Sequence, residues 1–185
     1  MIGWWLGAAW LAFFGTFYLS HRAVRAQTGT LTENRVRRER SSDAGMALQF
    51  VGVLAALFWP GPWREFMAVP GLLAAAASIL FVRSALQHLG RQWRVQAVVT
   101  DDHELITSGP YRVVRHPVYL AFMGMLLGTA LMRGHPVAGL GAVLLFAAGT
   151  EIRVRAEERL LAAAFKDRFA AYTLRTRWAY APGLR

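Results

Sequence analysis

The stretch TSGPYRVVRHPVYL, residues 107–120, sets two arginines, a histidine and two tyrosines directly before an apolar run. Ser108-Gly109-Pro110 is turn chemistry, because glycine takes positive φ without penalty and proline fixes the next φ. His116 precedes a proline and is steered out of the α region, so it belongs to the loop and a helix starts at Pro117. The first N–H groups of that helix, those of Val118 and Tyr119, have no partner within it and form a site for a carboxylate or phosphate. Arg112 and Arg115 add positive charge, while Tyr111 and Tyr119 offer aromatic faces to a cation or a planar ring. That set suits a ligand with a carboxylate, a cationic centre and a heterocycle. It equally suits interface residues snorkelling around a histidine satisfied by backbone.

Two more groups carry polar chemistry. In DDHELITSG (101–109), Leu105 and Ile106 can cover an apolar ring while His103 supplies a donor or acceptor beside Glu104. Gln96 lies seven residues before His103 in WRVQAVV, a short extended run. Arg153 and Glu157 stand at i and i+4 on one helical face, and Glu151–Arg155 is a competing pair of the same spacing. Either Arg153 and Glu157 bridge each other, or Glu157 takes a hydroxyl or ammonium and Arg153 a carboxylate. The chain has no cysteine, which removes disulfides, thiolate nucleophiles and Cys-based metal sites. The histidines and carboxylates have no metal-ligand spacing, so no metal is expected. GLGAVL (139–144) lacks the third glycine and the strand of a dinucleotide fingerprint, and fits close helix packing instead. Neither G-x-S-x-G nor a phosphate-binding loop occurs.

The elements that must position these residues are apolar blocks at 1–20, 45–60, 69–82, 117–132 and 136–152, in a chain that is 55% hydrophobic and 17% charged. Blocks of about 16 to 20 residues suffice, or nearly so, for a hydrocarbon core of roughly 30 Å, which predicts five transmembrane helices. The first block lacks a basic leader and a small-x-small cleavage site, so it is expected to stay as a membrane helix rather than be removed as a signal peptide. Trp4, Trp5 and Trp10 have the character of interfacial anchors.

Of the 21 basic residues, 19 fall in 21–44, 83–116 and 151–185, and only Arg64 and Arg133 in the two other connections. The alternation matches the positive-inside rule, with the N-terminus outside and the C-terminal tail in the cytoplasm. The net charge of +10 is thus topological, with contact to anionic lipid, and no basic arm remains for nucleic acid. Pro70, Pro117 and Pro136 suit helix starts. The last apolar segment is expected to continue past the membrane, and Leu160, Leu161, Ala164, Phe165, Ala171 and Tyr172 recur on one flank of an amphipathic tail.

Together, LGRQWRVQAVVTDDHELITSGPYRVVRHPVYL (89–120), a hairpin, and RVRAEERLLAAAFKDRFAAY (153–172) resemble the isoprenylcysteine carboxyl methyltransferase family over about residues 86–185. The specific elements are H-x-L-[IV]-x-x-G-x-Y, R-H-P-x-Y and the later E-E, in that order. Related phospholipid methyltransferases and some sterol reductases share parts of the pattern. The resemblance implies an all-α integral membrane protein with the five-helix plan of compact prokaryotic members, in the inner membrane. It implies one domain over 1–185, with three helices in 1–85 and a catalytic core in 86–185 whose active site faces the cytoplasm.

The implied cofactor is S-adenosylmethionine, held by Gln96, His103, Glu104, Leu105, Ile106, Tyr111, His116, Pro117, Val118, Tyr119 and Glu157. Arg153 falls where the family holds a substrate carboxylate, and His116 and Glu157 are candidate bases for an acceptor that must lose a proton. The acceptor is a lipophilic molecule, of the isoprenylcysteine carboxylate type or a lipid amine, a small thiol or a lipid hydroxyl. A monomer is compatible with this plan. A non-enzymatic membrane protein and a nicotinamide-dependent reductase of the sterol type are the rival classes. The chain departs from the family at Lys166, where relatives carry glycine in F-G-x-x-Y.

Overall fold

The computed structural model describes residues 2–28, 37–94, 97–99, 103–181 and 183. Its helices are α1 (Ile2–Thr28), α2 (Ser41–Phe58), α3 (Ala68–Leu89), α4 (Pro117–Met132), α5 (Pro136–Phe165) and α6 (Asp167–Arg175). Four of them, α1, α2, α3 and α5, are long and apolar enough to cross a membrane, and α4 is a shorter apolar helix. The chain is therefore a multi-pass membrane protein. At about 1.5 Å per residue, α4 is roughly 24 Å long, just short of a hydrocarbon core.

Local chemistry sets the boundaries. Proline opens α4 and α5, as expected from its fixed φ and missing N–H. Helices α1 and α3 run further than their apolar blocks, because good helix formers continue past the last apolar residue. The α5 helix spans 30 residues and carries Arg153 and Glu157 beyond its apolar half. It ends at Lys166, whose φ of 45° and ψ of −117° break the helix before α6.

Packing follows small residues. Helix α2 lies on α5, α3 on α4, and α1 on α3. A Cβ on Gly45 would meet the Gly149 carbonyl oxygen at 2.6 Å, and one on Gly52 would meet the Ala142 carbonyl oxygen at 2.8 Å, so α2 and α5 touch backbone to backbone. Gln49 Nε2 donates to Thr150 Oγ1 at 2.8 Å across the same seam. Of the glycines in GLGAVL, Gly139 packs on Ala130 but Gly141 faces open space.

Trp4 and Trp5 are exposed, as interfacial anchors should be, but Trp10 is buried and donates through Nε1 to Thr129 Oγ1 at 3.1 Å. It serves the core between α1 and α4, where Phe13 meets Phe122 at 4.7 Å between ring centroids. Its indole N–H has a partner there, which removes the reason for it to seek an interface.

At one end of the bundle the α2–α3 and α4–α5 turns interlock, with Gly134 N–H donating to the Pro62 carbonyl at 2.7 Å and Arg133 over the Trp63 ring at 4.7 Å. At the other end, β1 (Arg37–Arg38) pairs antiparallel with β2 (Val98–Val99), a two-stranded ribbon in an otherwise helical chain. The extended character of Val98 and Val99 was legible in their β-branching, while the partner strand lies some 60 residues earlier.

Candidate active site

A cavity of about 570 Å³ runs into the bundle from the ribbon end, a size typical of small-molecule sites. Its inner part is apolar: Phe14 and Phe17 of α1, Phe50, Val53, Leu54 and Leu57 of α2, Phe122 of α4 and Phe146 of α5. Phe14, Phe50 and Leu54 line it and are still exposed, so the apolar part opens sideways between α1 and α2. Its outer part is walled by His103, Glu104, Leu105 and Ile106, by Tyr111, His116, Val118 and Tyr119, and by Arg153, Glu157, Leu160, Leu161, Phe169 and Tyr172. The structure thus gathers the sequence-derived candidates around one space. Pro117, buried behind the wall, and Arg112, which is exposed, are the exceptions, and Gln96 lies outside the described residues.

The turn 109–112 brings Tyr111 in. Gly109 has a φ of 56°, and a Cβ there would collide with His88, so the turn needs glycine. Tyr172 of α6 donates its hydroxyl to the Tyr111 carbonyl at 2.7 Å, which ties α6 to the turn. Burial, then the Glu157 charge, pushes the Tyr111 hydroxyl far up, so it stays protonated. Burial likewise pushes the Tyr172 hydroxyl up. His103 approaches Phe165 at 6.1 Å between rings, and exposed Glu104 pairs with Arg91 at 3.3 Å.

Glu157 is the centre of the polar wall. Tyr119 donates its hydroxyl to Glu157 Oε1, His116 Nδ1 faces Oε2 at 3.2 Å, and Arg153 Nη2 lies 3.7 Å from Oε1. Of the two helical pairs, Arg155–Glu151 is the tight one at 2.7 Å and largely exposed, whereas Arg153 is buried and also covers the Tyr119 ring at 5.5 Å. Arg153 thus lines the cavity beside Glu157, with its guanidinium over the Tyr119 ring.

His116 is clamped between two acids, with Nε2 3.5 Å from Glu158 Oε1. Burial lowers its pKa, but hydrogen bonds and charge from Glu157 and Glu158 outweigh that, and the result lies above 6.5.

The α4 N-terminus differs from expectation. The Tyr119 N–H is taken by the His116 carbonyl at 3.2 Å. Arg115 turns away from that terminus, bonding Glu158 through Nε at 2.8 Å and the carbonyls of Thr176 and Arg177 through Nη1 at 2.7 Å each. Of the arginines that line the cavity among the described residues, Arg94 bonds the carbonyls of Arg91 and Trp93 and Arg115 bonds Glu158, whereas Arg153 stands beside Tyr119 and Glu157. Glu158 was missed as a functional residue, since only its position in E-E hinted at it and its partner Arg115 lies 43 residues away.

A family model described as "Isoprenylcysteine carboxyl methyltransferase (ICMT) family" matches residues 71–163, half of the chain. The chain belongs to this family. The match takes in the His103–Tyr119 loop, the Glu157–Glu158 pair and the helices between, and stops before Lys166 and α6.

Among curated proteins, the chain is 31% identical over 131 residues to the cobalt-zinc-cadmium resistance protein CzcN of Cupriavidus metallidurans, covering 67% of this chain and 56% of that one. It is 29% identical over 125 residues to the human protein-S-isoprenylcysteine O-methyltransferase, covering 66% and 44%. It is 24% identical over 173 residues to the probable protein-S-isoprenylcysteine O-methyltransferase of Oryza sativa subsp. indica, covering 91% and 90%. The chain thus spans about half the length of the first two relatives.

Proposed function

We propose that this chain is an integral-membrane methyltransferase that uses S-adenosylmethionine to methylate a carboxylate on a lipophilic acceptor. The observation that carries the reading is the continuity of one cavity: apolar and laterally open at membrane depth, then Arg153, then Glu157, His116 and the tyrosines. Along α5, Phe146, Arg153 and Glu157 succeed one another at spacings of about 10 Å and 6 Å. That order suits an acceptor tail, its carboxylate and a water-soluble cofactor.

The residues fit the cofactor chemically. Glu157 suits an ammonium, Tyr111 and Tyr119 suit a sulfonium, and Leu105, Ile106, Leu160 and Leu161 suit a heterocycle, with His103, Glu104 and Val118 completing the surround, Pro117 fixing the start of α4, and Gln96 added by the family resemblance alone. When bound, S-adenosylmethionine supplies a methyl group on a sulfonium centre. Arg153 orients the acceptor carboxylate, and the aromatic side chains of Tyr111 and Tyr119 limit water around an in-line approach.

A carboxylate is favoured over an amine, thiol or hydroxyl because the two candidate bases, His116 and Glu157, are already engaged with other groups. Both ring nitrogens of His116 face carboxylates, which favours the imidazolium, and Glu157 already accepts from Tyr119 and His116 and lies 3.7 Å from Arg153. An already ionised acceptor needs no proton removed.

In this reading α4 is a fifth span, residues 1–185 form one domain with its catalytic core in 86–185, the N-terminus lies outside, and the site faces the cytoplasm at the inner membrane. The acceptor enters sideways between α1 and α2. Calorimetric titration of S-adenosylhomocysteine into detergent-purified protein tests the cofactor site. Micromolar binding, weakened at least about tenfold (~1.4 kcal/mol) in His116→Ala and Glu157→Ala, is expected. A folded wild type that does not bind contradicts the reading, and a nicotinamide titration then tests the reductase alternative.

A further inference from the structure

Arg115 is buried at the foot of the site, and its guanidinium is nearly saturated. Nε and Nη2 reach Glu158 Oε1 at 2.8 and 2.7 Å, and Nη1 reaches the carbonyls of Thr176 and Arg177, so four of about five N–H donors are engaged. The backbone continues the join: Arg115 N–H donates to the Trp178 carbonyl at 3.0 Å and His116 N–H to the Ala179 carbonyl at 2.7 Å. The segment 176–180 is thus a strap laid along 115–116, with Ala179 and Tyr180 buried and the Tyr180 hydroxyl 3.2 Å from Glu151 Oε2.

Glu158 is shared unequally. Its Oε1 makes two short contacts to Arg115 and a long one, 3.5 Å, to His116 Nε2. Glu157, by contrast, takes His116 Nδ1 at 3.2 Å and lines the cavity, whereas Glu158 sits behind the wall.

We propose that Arg115 is a positioning residue for His116: by bonding Glu158 and strapping down residues 176–180, it leaves the imidazole committed to Glu157 at the cavity. Resting on the cofactor reading only for its link to catalysis, the inference has Arg115, on the cavity wall but with its donors turned to Glu158 and the strap, act through His116. Without the Arg115 fork, Glu158 is freed to bond Nε2 strongly, and the ring is drawn from Glu157. A bidentate fork matters here more than charge alone, since it holds one oxygen from two directions.

The charged and titratable groups facing the imidazole are Glu157 and Glu158 from α5 and Tyr119 from α4, with Arg153 and Arg115 acting through those carboxylates. The strap presents backbone carbonyls among the described residues. Two variants therefore push His116 in opposite directions. Arg115→Gln strengthens the pull of Glu158 and raises the imidazole midpoint, and Glu158→Gln removes a carboxylate and lowers it, each by about one pH unit. Loss of stability alone cannot produce opposite shifts.

The test is the His116 ring titration by NMR in detergent-solubilised full chain, assigned by its absence in His116→Gln, alongside S-adenosylhomocysteine titration of each variant. Opposed midpoint shifts, about tenfold weaker binding in both variants (~1.4 kcal/mol), and Arg115→Lys restoring the midpoint but only part of the affinity are the expected results. Midpoints that stay put or move together while thermal stability falls overturn the proposal, leaving Arg115 as a mere structural clamp. Opposed shifts in a protein that binds no S-adenosylhomocysteine uphold the positioning role and instead remove the cofactor reading. Should Arg115→Gln fail to fold, Arg115→Lys carries the test: weaker S-adenosylhomocysteine binding at an unchanged imidazole midpoint is expected, and unaltered binding overturns the proposal.

Discussion

Lys166 ends α5 in a backbone conformation that is costly for a residue with a side chain. Its φ of 45° and ψ of −117° lie in a region glycine adopts freely and L side chains rarely do. The bend between α5 and α6 is therefore made here under strain, held by α6 through Phe169 and Tyr172, both buried. Lys166→Gly is expected to raise stability by about 1 kcal/mol, despite the greater freedom it gives the unfolded chain, because relief of a strained φ is worth roughly 1–3 kcal/mol. A thermal melt in detergent checks the direction, and a lowered midpoint would argue against the strain.

His116 makes a prediction in pH. Its folded pKa lies above the ordinary 6.5, so the stability it contributes is fully present below that value and fades as pH rises through the raised one. The stability gap between wild type and His116→Gln should accordingly be widest on the acid side of 6.5 and narrow toward alkaline pH. A gap that widens with pH would mean the imidazole is held neutral.

At the scale of elements, the α2–α5 seam controls the site. A Cβ on Gly45 would come within 2.7 Å of Arg153 Cγ as well as against the Gly149 carbonyl. Gly45→Ala is expected to destabilise the protein by about 1–3 kcal/mol through overpacking and to raise the KM for a carboxylate acceptor by displacing Arg153. Gly141→Ala, with nothing within 4 Å, is the control and should change neither.

How legible these elements were depended on whether their determinants are local. The starts of α4 and α5 could be read from Pro117 and Pro136, and the turn before His116 from Ser108-Gly109-Pro110, because backbone restriction acts on neighbours. The ends of α1 and α3 could not, since polar residues beyond an apolar block still form helix. The ribbon, the burial of Trp10 and the Arg115–Glu158 pair all depend on partners distant in sequence, and pattern alone carries no trace of them.

For the whole molecule, the arrangement separates solvents. The long apolar helices supply a lipid-facing bundle, and the polar wall collects where α4 begins and α5 leaves its apolar half. Arg153 stands at that boundary, a buried cation between an apolar channel and a carboxylate-centred pocket. Truncating the channel lining, for example Leu54→Ala with Leu57→Ala, should weaken a long-chain acceptor more than a short one while leaving S-adenosylhomocysteine binding unchanged, since apolar burial contributes about 25 cal/mol per Å². Equal losses for both acceptors would place the tail elsewhere.

The most direct measurement is transfer of labelled methyl from S-adenosylmethionine, in proteoliposomes, to a small prenylated cysteine with a free carboxylate. The chemical stability of the product decides between acceptor classes. The account predicts label in the lipid-soluble fraction that alkali releases as methanol, the mark of a carboxyl ester, and a KM raised strongly by Arg153→Ala with S-adenosylhomocysteine still bound. Alkali-stable label on amine, sulfur or hydroxyl, or carboxyl transfer indifferent to Arg153, would contradict it.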